Sequence, residues 1–502
     1  MTRITLLCVF LAAAATTLLA PAPARAQPAP KPYTDSTVIP QTPAYRRALG
    51  LAELLNADDA SRRREYLRGA LAPDFLAQVP LEQHVAIIGE AGRSNGAIEV
   101  HAARSYEPPE PDTHAVLIVR SELLESWRAI VVDVEEAEPH RITGISFAPA
   151  RPPSDQPRAA RLTEGEIAER LGAYVDRLAG AERFSGTVLL AKDGEVLASR
   201  AVGLANRDFD VPVTMDTKFN LGSMNKMMTG IAVMQLVESG KLSLDDPISM
   251  HLSEDWLPGV DKSRVTVRHL LTHTSGLGSF FTEEWDRASR ALYRSVDDWK
   301  PVVAAETLAF EPGTQSRYSN TGMLIAGAVV EHVSGQSYDE YVREHITGPA
   351  GMTDTGFFET DRVNKNLAVG YEPIPGADPV EYRNNLHQHV VKGGPAGGGY
   401  STAPDLLKFD RALRSGRIVS RASLGQLWRA YPDLGSPNYG LGFGVFPTPA
   451  GLVVGHSGGF SGISADLSMY LDEGYTFIAL ANLGGAAGLI EQKARELITQ
   501  GR

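Results

Sequence analysis

Apolar residues repeat at helical spacing over the first part of the chain and at strand spacing directly after it. From about residue 44 to residue 95 they recur every three or four positions, as in the run from Leu49 to Leu55, which predicts helices. The spacing then shortens toward two in the segments AIEVHAARSY, HAVLIVRS, WRAIVVDVE and RITGISF, which predicts four strands. Helices followed by an antiparallel sheet indicate a small α+β domain over residues 44–149.

A second α+β domain is predicted over residues 162–502. It starts with an amphipathic helix near Glu164–Ala179, followed by a hairpin that turns at Asp193 and Gly194. Its last part contains the strand-like segments LVVGHS, SADLSMYL and YTFIALAN and a final helix across Ala487–Ile498. Strands at both ends of a helical middle predict one antiparallel sheet that is built from both ends of the domain and flanked by helices.

Two proline-rich, polar segments are predicted to be linkers. They are residues 27–43, which begin QPAPKPYTDSTVIPQ, and residues 150–161, with the sequence ARPPSDQPRAAR. The small domain between them resembles cystatin-like or NTF2-like domains in its element order. It contains no recognisable catalytic set, so we expect a packing or substrate-gating role for it.

The first 26 residues have the pattern of a secretory signal peptide. Arg3 gives a basic start, residues 4–20 form a short apolar run, and an A-x-A cleavage motif ends at Ala26. A membrane anchor is the alternative, but the run is short and two prolines end it. We therefore expect cleavage near Ala26 and a periplasmic mature protein. The single cysteine, Cys8, would leave with the peptide, so no disulfide, thiol nucleophile or zinc–thiolate site is expected.

Composition narrows the choice of partners. The 502-residue chain carries a formal net charge of −12 and no Lys/Arg-rich run that offsets it, and a field of this sign repels nucleic acid. The hydrophobic fraction of 43% and the charged fraction of 22% are those of a soluble globular protein. No later apolar stretch reaches spanning length, so we expect no stable membrane anchor. A small-molecule or peptide substrate fits these limits, and the sequence leaves the oligomeric state open.

Ser223 and Lys226 form the motif S-M-N-K at the start of an apolar helical run. The i, i+3 spacing puts the lysine one turn above the serine on the same face of the helix. A serine hydroxyl is a weak nucleophile unless a neighbour takes its proton, and burial on an apolar helix lowers the pKa of a lysine enough for that role. Free N–H groups at a helix N-terminus can also stabilise an oxyanion. The alternative interpretation is an N-capping serine beside a surface lysine.

Tyr318 and Asn320 form a second motif, Y-S-N, between a Pro-Gly turn and a helix-like segment. A tyrosine fixed at such a corner can share a proton with Lys226, and the asparagine can hold a substrate carbonyl or amide.

A third motif, GHSGG at residues 455–459, ends the strand-like segment LVV. Glycines at a strand edge let a substrate approach the backbone and free N–H groups for an oxyanion hole. The same string fits the nucleophile elbow G-x-S-x-G of α/β-hydrolases, with Ser457 as the nucleophile. That motif requires a helix directly after the turn, whereas a strand is predicted here.

These three motifs, in this order and spacing, resemble those of the serine penicillin-recognising family of class C β-lactamases, D-alanyl-D-alanine carboxypeptidases, D-aminopeptidases and related esterases. The resemblance covers about residues 162–502 and extends to the strings VTVRHLLTHTSGL, FEPGT, YSNTGMLIAG, GMTDTGF and GPAGGGYSTAPDLLKF. It implies a β-lactamase/transpeptidase-like fold and a two-step acyl-serine mechanism that needs no metal and no cofactor.

The resemblance also implies a role for each motif. Ser223 would be acylated while Lys226 and Tyr318 manage its proton, and the N–H groups of Ser223 and Gly459 would form the oxyanion hole. The residues implied to bind substrate are Asn320, His456, Ser457, Gly458 and Gly459.

The third motif departs from the family pattern, because it reads His-Ser-Gly where true β-lactamases and transpeptidases usually have Lys-Thr-Gly. A mostly neutral histidine holds a substrate carboxylate less firmly than a lysine does. We therefore expect an esterase or peptidase that acts on an ester, amide or D-amino-acid peptide, with weak or absent β-lactamase activity. The alternative is a non-catalytic cell-wall or peptide-binding protein that retains the fold.

His269 and His273 raise the question of zinc, because they have the i, i+4 spacing of a metal-binding pair. They lack the glutamate of the zincin motif H-E-x-x-H, so structural roles are favoured for both.

Overall fold

The computed structural model describes residues 32–156, 159–374 and 380–502. The predicted signal peptide and Cys8 lie outside the described residues. The described residues divide into two compact units, one containing residues 32–156 and Ala159 together with 373–374 and 380–381, and the other containing Ala160–Glu372 and Tyr382–Arg502.

In its described residues the first unit is a five-stranded antiparallel sheet in the order β1-β2-β3-β4-β5, with four helices. The strands are β1 (Tyr33–Ser36), β2 (Ile98–Tyr106), β3 (His114–Ser121), β4 (Ser126–Val134) and β5 (Ile142–Pro149). The helices are α1 (Pro43–Asn56), α2 (Ala60–Ala70), α3 (Pro73–Gln78) and α4 (Leu81–Asn95). Leu51 of α1 packs in one core with Leu117 of β3 and Ile130 of β4. The predicted helical region and the four predicted strands are therefore present.

The strand β1 differs from the prediction, which assigned residues 27–43 to a linker. Asp35 of β1 accepts two hydrogen bonds of 2.8 and 3.0 Å from Arg104 of β2, and their side chains are only 1% and 4% exposed. Arg104 also donates to the carbonyl of Arg151 at 3.0 Å, so part of the second predicted linker is bound as well. A buried charge needs a partner, and this pairing orders segments whose composition indicated flexible chain.

The second unit is organised around a six-stranded antiparallel sheet in the order β14-β15-β16-β17-β6-β7. Its strands are β6 (Gly186–Lys192), β7 (Glu195–Val202), β14 (Gly444–Thr448), β15 (Gly451–Phe460), β16 (Ile463–Tyr470) and β17 (Tyr475–Ala481). The sheet combines strands from both ends of the unit, as the sequence predicts. The other strands form short pairs and are β8 (Leu204–Asn206), β9 (Val211–Pro212), β10 (Phe219–Asn220), β11 (Tyr371–Pro373), β12 (Tyr382–Asn384) and β13 (Tyr400–Ser401).

Helices surround this sheet and fill the middle of the unit. They are α5 (Glu164–Gly180), α6 (Asn225–Glu238), α7 (Val267–Leu271), α8 (Glu283–Arg287), α9 (Lys300–Val303), α10 (Asn320–Ser334), α11 (Tyr338–Val342), α12 (Gly348–Ala350), α13 (Ala403–Arg414), α14 (Arg421–Leu427) and α15 (Ala486–Thr499). Helix α6 is buried on every side along its first ten residues, which is typical of a central helix. In the ranges that the structure describes, no helix is both long and apolar enough to cross a bilayer.

One feature of the sheet positions the site. Strand β14 pairs only with residues 451–455 of β15, so residues 456–460 have no strand on that side. The 3₁₀ turn Gly222–Met224, which leads into α6, packs against this part of β15 instead. The start of the central helix and an unpaired strand edge therefore meet in one place.

Candidate active site

Ser223 lies in the 3₁₀ turn between β10 and α6 and is partly exposed. The N–H of Gly222 donates to Asn220 Oδ1 at 2.9 Å, and Gly222 has a φ of +49°. A residue in this left-handed region is most easily a glycine, so Gly222 lets the chain turn sharply. The turn presents the Ser223 hydroxyl at the surface directly above the buried helix.

Lys226 is 0% exposed, and its ammonium nitrogen lies 2.9 Å from Ser223 Oγ. The same Nζ donates to Asn320 Oδ1 at 2.8 Å and to the carbonyl of Ala396 at 2.5 Å. Burial holds the pKa of Lys226 well below its usual value, and no carboxylate among the described residues opposes that shift. When neutral, the amine donates its two hydrogens to the two carbonyl oxygens, which directs its lone pair at the Ser223 hydroxyl.

Tyr318 lines the opening above this pair, with its side chain 45% exposed. Lys226 Nζ lies 4.8 Å from the centre of its ring. The dense protein around the cleft desolvates the phenol and raises the pKa of Tyr318, while a hydrogen bond with Ser223 opposes that rise. Asn320 starts helix α10, and its Nδ2 donates to Ser279 Oγ at 3.1 Å. The structure therefore brings Ser223, Lys226, Tyr318 and Asn320 together.

The glycines of the third motif allow β15 to approach the turn around Ser223. A Cβ on Gly458 would lie 1.9 Å from the carbonyl oxygen of Leu221, and a Cβ on Gly222 would lie 2.9 Å from the nitrogen of Gly459. These approaches place the backbone of Gly459, which is exposed, next to the backbone of Ser223. The two residues whose N–H groups the family resemblance implies for an oxyanion hole are therefore neighbours in space.

His456 lies on the same strand, with its Nε2 2.8 Å from the hydroxyl of Tyr439. Desolvation and the nearby Lys226 lower the pKa of His456 to about 3, against a smaller opposing contribution from the carbonyl of Ser457. The imidazole is therefore neutral at neutral pH, and this wall of the site carries no fixed positive charge.

Ser457 is exposed in the middle of β15, and β16 follows it. A nucleophile elbow needs a strand, a sharp turn and a helix around its serine. The surroundings of Ser457 are therefore not those of a nucleophile elbow, and the α/β-hydrolase interpretation of this serine is wrong.

Two residues of the site were not predicted as members of it. His273 is 2% exposed and lies between the rings of Tyr318 and Tyr439, with centroid distances of 4.4 and 4.5 Å. Desolvation and the nearby Lys226 and His456 lower the pKa of His273. The motif string HTSGL contained His273 but gave it no role, and Tyr439 had no local signal at all.

His269 and His273 each contact a backbone N–H group. His269 Nδ1 accepts the N–H of Thr266 at 3.2 Å, and His273 Nδ1 accepts the N–H of Ser319 at 3.1 Å. Across the described residues, no group of three or more metal-binding side chains is present. Through these hydrogen bonds both histidines hold backbone segments of the fold.

Comparison with known proteins agrees with the fold. A family model described as Beta-lactamase matches residues 170–499. The chain is 32% identical over 337 residues to Penicillin-binding protein 4* of Bacillus subtilis (strain 168), covering 62% of this chain and 71% of that protein. It is also 32% identical over 290 residues to Esterase EstB of Burkholderia gladioli, covering 52% of this chain and 73% of that protein.

Solved structures show the same relationship. A penicillin binding protein from Bacillus halodurans is 28% identical with a TM-score of 0.58, covering 67% of this chain and 99% of that one. A D-stereospecific amidohydrolase from Streptomyces sp. is 27% identical with a TM-score of 0.53, covering 68% and 100%. The cystatin-like or NTF2-like interpretation of the first unit stays a prediction, because the matched residues begin after it. The second unit has the mixed α+β, β-lactamase/transpeptidase-like fold, and the chain belongs to the Beta-lactamase family of serine hydrolases.

Proposed function

We propose that this protein is an exported serine hydrolase that forms an acyl intermediate on Ser223 and acts on neutral esters, amides or D-amino-acid peptides. The observation that carries the proposal is the buried Lys226, whose Nζ is 2.9 Å from Ser223 Oγ and is also bonded to two carbonyl oxygens. A binding protein would gain nothing from a desolvated amine aimed at a serine hydroxyl, since burying such a group costs free energy.

In the proposed acylation step, Lys226 Nζ takes the Ser223 proton as Oγ attacks the substrate carbonyl carbon. The carbonyl oxygen becomes an oxyanion that the N–H groups of Ser223 and Gly459 stabilise. The bond to the leaving group then breaks, and the leaving atom receives the proton from Lys226 by way of the Tyr318 hydroxyl. In the second step, water attacks the carbonyl carbon of the acyl-serine, with the proton transfers of the first step reversed. This step releases the acid and restores the Ser223 hydroxyl.

The preference for neutral substrates follows from the charges around the cleft. His456 has a pKa of about 3 and is neutral at neutral pH, and Lys226 Nζ is buried and already bonded to Ser223, Asn320 and Ala396, so neither side chain offers a free positive charge to a substrate carboxylate. We infer that β-lactams, which carry a carboxylate, are hydrolysed weakly or only acylate the enzyme. Relatives named as an esterase and as a D-stereospecific amidohydrolase support this choice.

Export rests on the sequence of residues 1–26 alone. Fractionation of cells that express the full chain tests it, with a periplasmic product beginning near Gln27 as the expected result. A full-length cytoplasmic product would contradict it.

The test of the proposed chemistry compares wild type with Ser223→Ala and Ser457→Ala. Each protein is treated with a fluorophosphonate probe, assayed on p-nitrophenyl esters and nitrocefin, and mapped by peptide mass spectrometry. We expect label on Ser223, loss of labelling in Ser223→Ala, and a fall in ester turnover of roughly 10³-fold or more. Ser457→Ala should still be labelled on Ser223, even where loss of the implied substrate contact lowers turnover, because Ser457 lies within a strand and Lys226 Nζ is bonded to Ser223.

Two outcomes would contradict the proposal. Label that persists in Ser223→Ala and disappears in Ser457→Ala would move the nucleophile. A folded wild type that neither labels nor turns over any substrate would favour a non-catalytic peptide-binding protein.

A further inference from the structure

The candidate active site has a second aromatic wall that the proposed mechanism does not use. Phe460 directly follows Gly459, and its ring stacks on Phe281 with centroids 5.7 Å apart and planes inclined by 21°. Both side chains are half-buried. In an aqueous cleft, a partly exposed stacked pair of this kind presents apolar surface to whatever enters.

The strand geometry places this pair at one end of the cleft. Side chains two positions apart lie on the same face of a strand, and β15 pairs with β16 without a register shift from Val453 to Phe460. His456, Gly458 and Phe460 therefore share one face. Gly458 is the position that touches the turn around Ser223, so His456 and Phe460 lie on opposite sides of the serine along the strand.

The Phe281 side of the pair is connected to the site independently. Ser279, two residues earlier, accepts a hydrogen bond from Asn320 Nδ2 at 3.1 Å. The neighbouring Phe280 is buried against Trp285 and Trp299, with ring centroids 6.0 and 4.4 Å away. The wall is therefore backed by a packed aromatic core, which fixes its position.

The mechanism decides which part of the substrate meets this wall. The leaving group has to lie near the groups that return its proton, Lys226 and Tyr318, and Tyr318 is on the His456 side, with ring centroids 6.2 Å apart. The carbonyl carbon sits at Ser223, so its other substituent extends in the opposite direction along β15. That direction leads to Phe460 and Phe281.

We propose that Phe281 and Phe460 form the acyl-binding wall of the site and select substrates with a bulky apolar acyl group, such as an arylacetyl group or the side chain of an aromatic amino acid. The inference rests on the proposed acyl-serine function. A bulky apolar acyl group that packs against the two benzene rings loses contact with water over a large area, which favours its binding. An acetyl group is too small to bury a comparable area against the same rings.

The test measures kcat/KM for p-nitrophenyl phenylacetate and p-nitrophenyl acetate, which share a leaving group and differ only at the acyl end. In wild type the phenylacetate should be preferred. In Phe281→Ala and Phe460→Ala the ratio of the two kcat/KM values should fall roughly tenfold, and Phe281→Leu and Phe460→Leu should lie between. Phe209→Ala is the matched control, because Phe209 is 79% exposed elsewhere in the same unit, and it should leave the ratio unchanged.

The outcomes separate this inference from the proposed function. If wild type is labelled by the fluorophosphonate on Ser223 but none of the folded Ala or Leu variants changes the ratio, the acyl wall is overturned and the acyl-serine chemistry stands. If wild type is not labelled on Ser223, the proposed function fails and this inference fails with it. The Leu variants keep most of the side-chain volume, so the ratio of the two kcat/KM values can be measured in them should an Ala variant not fold.

Discussion

The imidazole of His273 packs against the ring of Tyr318, with the two ring centroids 4.4 Å apart. Nδ1 of the same imidazole accepts a hydrogen bond from the backbone N–H of Ser319, the residue that follows Tyr318. One buried side chain thus holds both the ring and the backbone of the segment that carries Tyr318. His273 itself has a φ of +60°, a conformation that asparagine tolerates better than most residues.

His273→Phe and His273→Asn separate these two contacts. The phenylalanine keeps a ring against Tyr318 but leaves the buried N–H of Ser319 without an acceptor, so the free energy of unfolding should fall by about 1–3 kcal/mol. The asparagine offers an acceptor and suits the backbone but removes the ring, so kcat on a p-nitrophenyl ester should fall more than KM changes. Urea unfolding and steady-state kinetics measure the two effects. A His273→Phe protein as stable as wild type would show that the hydrogen bond contributes nothing to the free energy of unfolding.

Lys226 predicts a specific dependence of activity on pH. Its pKa is lowered by burial below the ordinary value of 10.5, so kcat/KM on a neutral ester should rise with pH as the amine loses its proton and level off before pH 10.5. Lys226→Arg should lose about 10²–10⁴-fold in activity, because a guanidinium cannot take the Ser223 proton. An active arginine variant would exclude Lys226 as the proton acceptor.

The same pKa shift affects stability with a definite sign. Between the lowered pKa and 10.5, the unfolded chain binds a proton that the folded chain has lost, so the free energy of unfolding of wild type should rise with pH relative to Lys226→Met. Urea unfolding of both proteins at several pH values measures this slope. A difference between them that does not vary with pH would show that Lys226 is protonated in the fold.

His456 should not titrate near neutrality. Its pKa is lowered from 6.5 to about 3, so the imidazole becomes charged only in strong acid, and the kcat/KM profile on a neutral ester near pH 6.5 should have the same shape in wild type and in His456→Gln. His456→Lys should raise the ratio of nitrocefin to ester turnover, because a cation attracts the substrate carboxylate, while the neutral variant His456→Gln should not. An inflection near pH 6.5 that disappears in His456→Gln would contradict the neutral wall.

Two glycines provide a matched pair for the oxyanion region. A Cβ on Gly458 would lie 1.9 Å from the carbonyl oxygen of Leu221, whereas a Cβ on Gly488 in helix α15 would meet nothing within 4 Å. Gly458→Ala should push β15 away from the turn around Ser223 and reduce kcat/KM by about 10²-fold, since displacements near 1 Å have effects of that size. Gly488→Ala should leave kcat/KM unchanged and raise the free energy of unfolding by about 0.5–1 kcal/mol. Equal activity in the two variants would show that the close approach of β15 to the turn around Ser223 does not depend on a glycine at position 458.

The elements and the core of the site could be predicted from the sequence because their signals are local. The i, i+3 spacing of Ser223 and Lys226 places both side chains on one face of a helix in any tertiary context. Alternating and helical periodicities likewise mark the strands and helices of both units. The family motifs added the grouping of these residues with Tyr318, Asn320 and the strand edge at Gly459, which spacing alone left open.

Contacts between distant segments were decided only by the tertiary structure. The carbonyl of Ala396 that binds Lys226 lies 170 positions away, and Tyr439, Phe281 and Phe460 have no periodic or motif signal that indicates a place in the cleft. The ion pair between Asp35 and Arg104 turned a proline-rich segment into a strand against its composition. The sequence by itself determined which residues are candidates for the chemistry and on which elements they lie, since helical and strand periodicity and i, i+3 geometry are properties of neighbouring residues. The packing of those elements decided which carbonyl groups bind Lys226 and which aromatic rings line the acyl-binding end of the cleft. Packing energy comes from surfaces that are far apart along the chain, so no local pattern contains it.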